Sequence, residues 1–105
     1  MTYQLPAQFR SLAKAYPDVC EAFESLGSQC HNAGPLNEKE RKLSKLGIAI
    51  GVGSEGAVHS AVRNALRADI SKEEIMHVGI LAITTIGLPN AIAAMTWIKD
   101  VFSKS

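Results

Sequence analysis

The apolar positions of the chain fall into blocks with helical spacing, separated by stop signals rather than by alternating stretches that would read as strands. Phe9, Leu12 and Ala13 share one helical face between Pro6 and Ala15, and Pro17 ends that first helix. Proline suits a first turn, so Pro17 also opens a second helix whose apolar face is Val19, Cys20, Phe23 and Leu26. Gly27 is the point at which a bend in this helix is expected, and Asn32-Ala33-Gly34-Pro35 stops it after His31. Asn37 with Glu40 is a capping box in its Asn form and starts a third helix. That helix is charged from Glu38 to Lys45 and apolar on every side from Leu46 through Val52, so it is expected to run from solvent into the core. Gly47, Gly51 and Gly53 lower helix propensity there, which points to close helix contact or to a break before the next helix. Ser54 caps a fourth helix, Glu55 to Ala68, with Val58, Ala61, Val62 and Ala65 as its apolar stripe. After the turn Ala68-Asp69-Ile70, the second capping box Ser71-Lys72-Glu73-Glu74 opens a fifth helix to about Ile86. Gly87-Leu88-Pro89 stops it, and a last helix carries Ile92, Ala93, Met95, Trp97, Ile98, Val101 and Phe102.

Composition sharpens this all-α reading. The chain has 105 residues, 47% of them apolar, which fits a single domain able to bury one core. Eleven basic residues against ten acidic ones give a net charge of +1, and no Lys/Arg run interleaves with aromatics, so a nucleic-acid partner is not expected. The most apolar segment, Val78 to Leu88, contains Thr84 and Thr85 and is far shorter than the roughly 20 residues needed to cross a bilayer. Met1 to Pro6 lacks the basic and apolar regions of a secretory signal. A soluble, cytoplasmic protein without a membrane partner is expected. Cys20 and Cys30 share one predicted helix, where ten residues separate them by about 15 Å, too far for a disulfide within one subunit. They read as free thiols, in neither a C-x-x-C nor a Cys/His zinc spacing.

Candidate chemistry concentrates in the fourth helix. Glu55, His59 and Arg63 are four apart, so a carboxylate, an imidazole and a guanidinium line one stripe. Glu55 and His59 are the candidate acid/base pair, with Arg63, Ser54 and His77 as candidate substrate-binding residues. Two readings of the pair stand side by side. It is either a solvated ion pair at i, i+4 or a proton-transfer pair acting on a small carbonyl or lactone substrate. His77, four residues after Glu73, has the same pair of readings, and His31 reads as a partner of the negative end of the second helix. Glu55 and His59 alone fall short of the usual ligand count of a zinc site, so neither a metal nor another cofactor is expected.

From Leu36 to Phe102 the order of these motifs resembles the carboxymuconolactone decarboxylase/alkylhydroperoxidase-like (AhpD-like) family. The resemblance is carried by Glu38-Lys39-Glu40-Arg41-Lys42-Leu43 leading to Ile50, by Val62-Arg63-Asn64-Ala65-Leu66, by Ile70-Ser71-Lys72-Glu73-Glu74-Ile75, and by the Gly-Leu-Pro break. It implies an all-α, AhpD-like domain of about six helices that assembles with copies of itself as a trimer or hexamer. The redox branch of that family uses C-x-x-C, a following His and a preceding Glu, as a peroxide-reducing relay. Those positions fall here at Ser54, Ala57, Ala61 and Lys42, and no serine or alanine replaces a redox thiolate. The decarboxylase branch's His also falls at Ala61. The expectation is therefore a family member that binds or acts on a small molecule through Glu55 and His59 without thiol peroxidase chemistry. The alternatives are a non-catalytic binding or assembly protein on the same scaffold, and an antioxidant peroxidase using the cysteines outside the motif.

Overall fold

The computed structural model describes residues 7–104, with side chains from Phe9 onward, and every regular element among them is an α-helix. The helices are α1 (Ala7–Ala15), α2 (Pro17–His31), α3 (Glu38–Val52), α4 (Glu55–Arg67), α5 (Lys72–Ile86) and α6 (Leu88–Phe102). The Pro6 start expected for α1 lies outside the described residues. Contacts divide the chain into two compact units between Leu36 and Asn37. In the first unit α1 packs on α2. Pro17 occupies the first turn of α2, Asn32 closes it, and the helix continues through Gly27.

The second unit holds the helices that carry the candidate chemistry. Both capping boxes form. Asn37 Oδ1 accepts from the Glu40 backbone N–H at 2.9 Å while Glu40 Oε1 accepts from the Asn37 N–H at 2.9 Å. Ser71 Oγ accepts from the Glu74 N–H at 3.1 Å, and Glu74 Oε1 accepts in return from the Ser71 N–H at 3.0 Å. Each exchange satisfies backbone donors that a helix start would otherwise leave without an intrahelical acceptor. Gly53 ends α3 in the left-handed region at φ 76°, a conformation that costs glycine little. The break expected at this glycine is thus confirmed.

The core is built from Leu46, Ala49 and Ile50 of α3, Val58, Val62 and Ala65 of α4, Ile70, Ile75 and Ala82 from the turn and α5, and Ala91, Ala94, Ile98 and Val101 of α6. Three expectations shift here. Leu46 is wholly buried, but Ile48 and Val52, on the same all-round apolar stretch, are 67% and 74% exposed. α3 therefore buries one side of that stretch rather than plunging into the core. In α6 the small residues Ala91 and Ala94 take the inner face and Ile92 faces outward. The close helix contact falls at Gly79 rather than at Gly51. A Cβ at Gly79 would stand 2.8 Å from Met95 Cγ and 3.2 Å from Ile98 Cδ1, whereas one at Gly51 would meet nothing within 4 Å. Glycine at position 79 thus sets how closely α5 and α6 approach.

Two polar contacts tie this unit at its helix starts. Lys72 Nζ sits 5.4 Å from the centre of the Phe102 ring, joining the beginning of α5 to the end of α6, as expected of an antiparallel pair. Lys39 Nζ donates to Glu74 Oε2 at 2.8 Å, so the Glu74 carboxylate caps α5 with one oxygen and pairs with α3 through the other. The Lys39 ammonium first, then the Ser71 N–H and hydroxyl, lower the Glu74 pKa from its ordinary 4.5 to about 2. A depressed carboxylate stabilises the fold above its ordinary pKa, and the contribution is lost as pH falls through the folded value. The stability gap between the native chain and Glu74→Gln, read from urea midpoints, is accordingly expected to be constant above pH 4.5 and to close by about pH 2. A gap unchanged down to pH 2 would contradict the ion-paired carboxylate.

Candidate functional site

Ser54 begins the site. Its hydroxyl accepts from the Ala57 N–H at 3.2 Å and thereby fixes the first turn of α4. Ser54 thus serves as the cap of α4. One turn on, Val58 and Val62 are fully buried and lock the rotation of α4 against the core. His59, between them in sequence, is held at the edge of that contact with its side chain 21% exposed.

α6 packs on α4, and its buried Ile98 and Val101 flank Asp100 in the same way. The two registers place Asp100 Oδ2 3.2 Å from His59 Nε2, across 41 residues of sequence. Glu55, one turn before His59, reaches the same nitrogen with Oε2 at 3.9 Å, an ion-pair distance longer than a hydrogen bond. Glu55 and His59 are therefore neighbours as their spacing requires, but Asp100 is the closer partner of the imidazole. All three groups can place a ligand atom within 4.8 Å of one another. When the ring is neutral, Nε2–H donates to Asp100 and the free lone pair is on Nδ1.

The other sequence candidates divide. Arg63 lies half-buried one turn beyond His59 on α4. His77 is exposed on α5 and is not among the residues of the cluster. His31 stands in the last turn of α2, where its charge would complement the helix dipole. Cys20 is buried and Cys30 exposed, and both are free thiols. A shallow open depression of about 320 Å³ on α2 is lined by Asp18, Glu21, Ala22 and Ser25 and shares no residue with the cluster.

Asp100 is the functional candidate that sequence spacing did not reveal. The available signal was composition: Lys99 and Asp100 are the only charged residues of α6, and an acidic group beside two core positions in an apolar helix needs a polar neighbour.

The sequence pattern of the carboxymuconolactone decarboxylase family matches residues 17–100, most of the chain. The chain belongs to the carboxymuconolactone decarboxylase family. The match begins at the start of α2 and ends on Asp100, so it takes in a helix beyond the stretch from Leu36 in which the resemblance was visible. No curated protein matches the chain. Within this carboxymuconolactone decarboxylase family member, His59 stands on the second turn of α4, between Ser54 and Ala61 in sequence. No helix among the described residues is long and apolar enough to cross a membrane.

Proposed function

We propose that this family member binds a small molecule bearing a carbonyl or lactone group and transfers a proton to or from it through His59, in acid–base chemistry of the decarboxylase or lactone type. The observation that carries this reading is the 3.2 Å contact of His59 Nε2 with Asp100, with Glu55 at 3.9 Å on the same nitrogen. A carboxylate fixed on Nε2–H holds the ring in one orientation and tautomer, and it stabilises the imidazolium that forms when Nδ1 takes a proton. Glu55 adds a second negative charge to that stabilisation. Arg63 is assigned the negative group of an anionic substrate, by charge and by its place one turn along the stripe. Ser54 and His77, the other sequence candidates, are left with capping and an exposed position respectively. Thiol peroxidase chemistry has little to build on: one cysteine is buried, and the relay positions hold no thiol.

The test is mass spectrometry of small molecules that remain bound to the intact purified protein, run together with a turnover screen on small lactones and keto acids. Loss of bound molecule and turnover in His59→Ala, with the assembly retained, is the expected result. Unchanged binding and turnover would reduce the cluster to a solvated ion pair on a helix face.

The second reading, a non-catalytic binding or assembly protein, is favoured by one observation. Ile48 and Val52 on α3, and Ile80 and Leu81 on α5, are exposed large apolar side chains in a chain of 11.3 kDa. Further copies of the chain, in a trimer or hexamer, are proposed to cover them, because apolar surface of this kind is unfavourable in water. Light scattering at micromolar concentration is expected to give three or six times 11.3 kDa, and a value near 11.3 kDa would contradict the assembly.

A further inference from the structure

We propose that Glu55, His59 and Asp100 form a binding site for one first-row divalent transition-metal cation, of which zinc is the reference case. Counting ligands along α4 alone gave a carboxylate and an imidazole; the packing of α6 on α4 supplies the third. The set is one nitrogen and two carboxylates, each from a different turn or helix, able to place their ligand atoms within 4.8 Å of one another.

The distances suit coordination. Metal–nitrogen and metal–oxygen bonds of about 2.0–2.2 Å put neighbouring ligands of a tetrahedral ion about 3.4 Å apart. His59 Nε2 is already 3.2 Å from Asp100 Oδ2 and 3.9 Å from Glu55 Oε2. The remaining closure falls on Glu55, whose side chain is 59% exposed and free to change rotamer, while His59, the least exposed of the three, provides the fixed point. The chemistry discriminates among ions. An imidazole with two carboxylates suits zinc, manganese, iron or cobalt, whereas calcium and magnesium favour all-oxygen sets. Three protein ligands leave a coordination position for solvent or a small molecule, as in catalytic rather than structural zinc sites.

Charge favours an ion here. With a neutral ring, two carboxylates converge on one nitrogen that has a single proton to share, and a dication neutralises both at once. Coordination needs the lone pair of Nε2, so the ring proton moves to Nδ1. That tautomer is the opposite of the one used in proton transfer, and the metal-bound and relay states therefore exclude each other. The inference does not rest on the proposed function. An absent metal leaves the relay standing, and a dead relay leaves metal binding to be read directly.

The experiment is a titration of the metal-stripped full chain with cobalt(II), followed by visible absorption, and with zinc(II), followed by calorimetry. One ion per chain is expected, with a cobalt spectrum that zinc abolishes. Asp100→Asn and Glu55→Gln keep shape and should keep the fold, which circular dichroism checks. Each is expected to weaken binding more than the 10–100-fold typical of residues that only support a metal ligand, and His59→Ala at least as much. His31→Ala and His77→Ala should leave affinity unchanged. Absence of saturable binding to the native chain, or affinity unaltered in both Asp100→Asn and Glu55→Gln, would overturn the site.

Discussion

Leu46→Ala is expected to lower the free energy of unfolding by about 2–5 kcal/mol, the range for truncating a buried leucine and leaving part of the cavity unfilled. Leu46 is wholly buried and sits on α3 where that helix meets the rest of the core. A domain of this size has a total stability of about 5–15 kcal/mol, so the single change removes a large share of it. The sharp control is Ile48→Ala, two residues away on the same apolar stretch and 67% exposed. Within one chain that substitution should cost less than about 0.5 kcal/mol, as surface changes generally do. Urea unfolding at low protein concentration measures both. A similar cost for the two variants would mean that α3 is rotated from the position described. If copies of the chain cover Ile48, its substitution becomes costly only as concentration rises, because the lost burial then belongs to association.

The contrast between Leu46 and Ile48 shows where sequence reading stops. Helix starts were legible because each has a local chemical cause contained within four residues: Asn37 with Glu40, Ser71 with Glu74, Ser54 ahead of Ala57. The proline at the start of α2 and the Gly87-Leu88-Pro89 break were legible for the same reason. The buried face of α4 was legible because polar residues alternate with Val58, Val62 and Ala65 and so define a phase. From Leu46 to Val52 and along α5 and α6, nearly every position is apolar, and a stripe without polar contrast has no phase. Only the packing partners choose which side is buried. The same limit applies to Gly79, whose need for a missing Cβ comes from Met95 and Ile98 on another helix.

In the candidate site the limit was sharper. Spacing at i, i+4 places Glu55 beside His59 from the geometry of one helix, and the pair does lie side by side. It cannot reach a partner 41 residues away. Asp100 reaches His59 only because Val58 and Val62 on one helix, and Ile98 and Val101 on the other, fix the rotation of both about the same core. Apolar packing thus determines which carboxylate the imidazole meets, and the i, i+4 neighbour becomes the more distant of the two.

That ordering sets the second large expected effect. In whatever turnover the small-molecule screen reveals, His59→Ala should cost about 10²–10⁴-fold in kcat, the usual contribution of a positioned acid–base group. Asp100→Asn should follow it closely, at about 10²-fold or more. An amide cannot stabilise the imidazolium as a carboxylate does, and its NH2 can invert the ring tautomer; a fully buried orienting carboxylate costs up to about 10⁴-fold when so replaced. The Asp100 side chain is 43% exposed, so water partly replaces it and the loss should fall below that limit. Glu55→Gln should cost less than about tenfold, since at 3.9 Å from the ring and 59% exposed its charge is well screened. Double replacement of His59 and Asp100 should lose no more than His59 alone, because a partner that acts through the imidazole has nothing left to orient. Steady-state kinetics on the four variants decides between the roles. If Glu55→Gln proves worse than Asp100→Asn, the acid–base pair is the one read from helix spacing, and the contact to α6 serves packing alone.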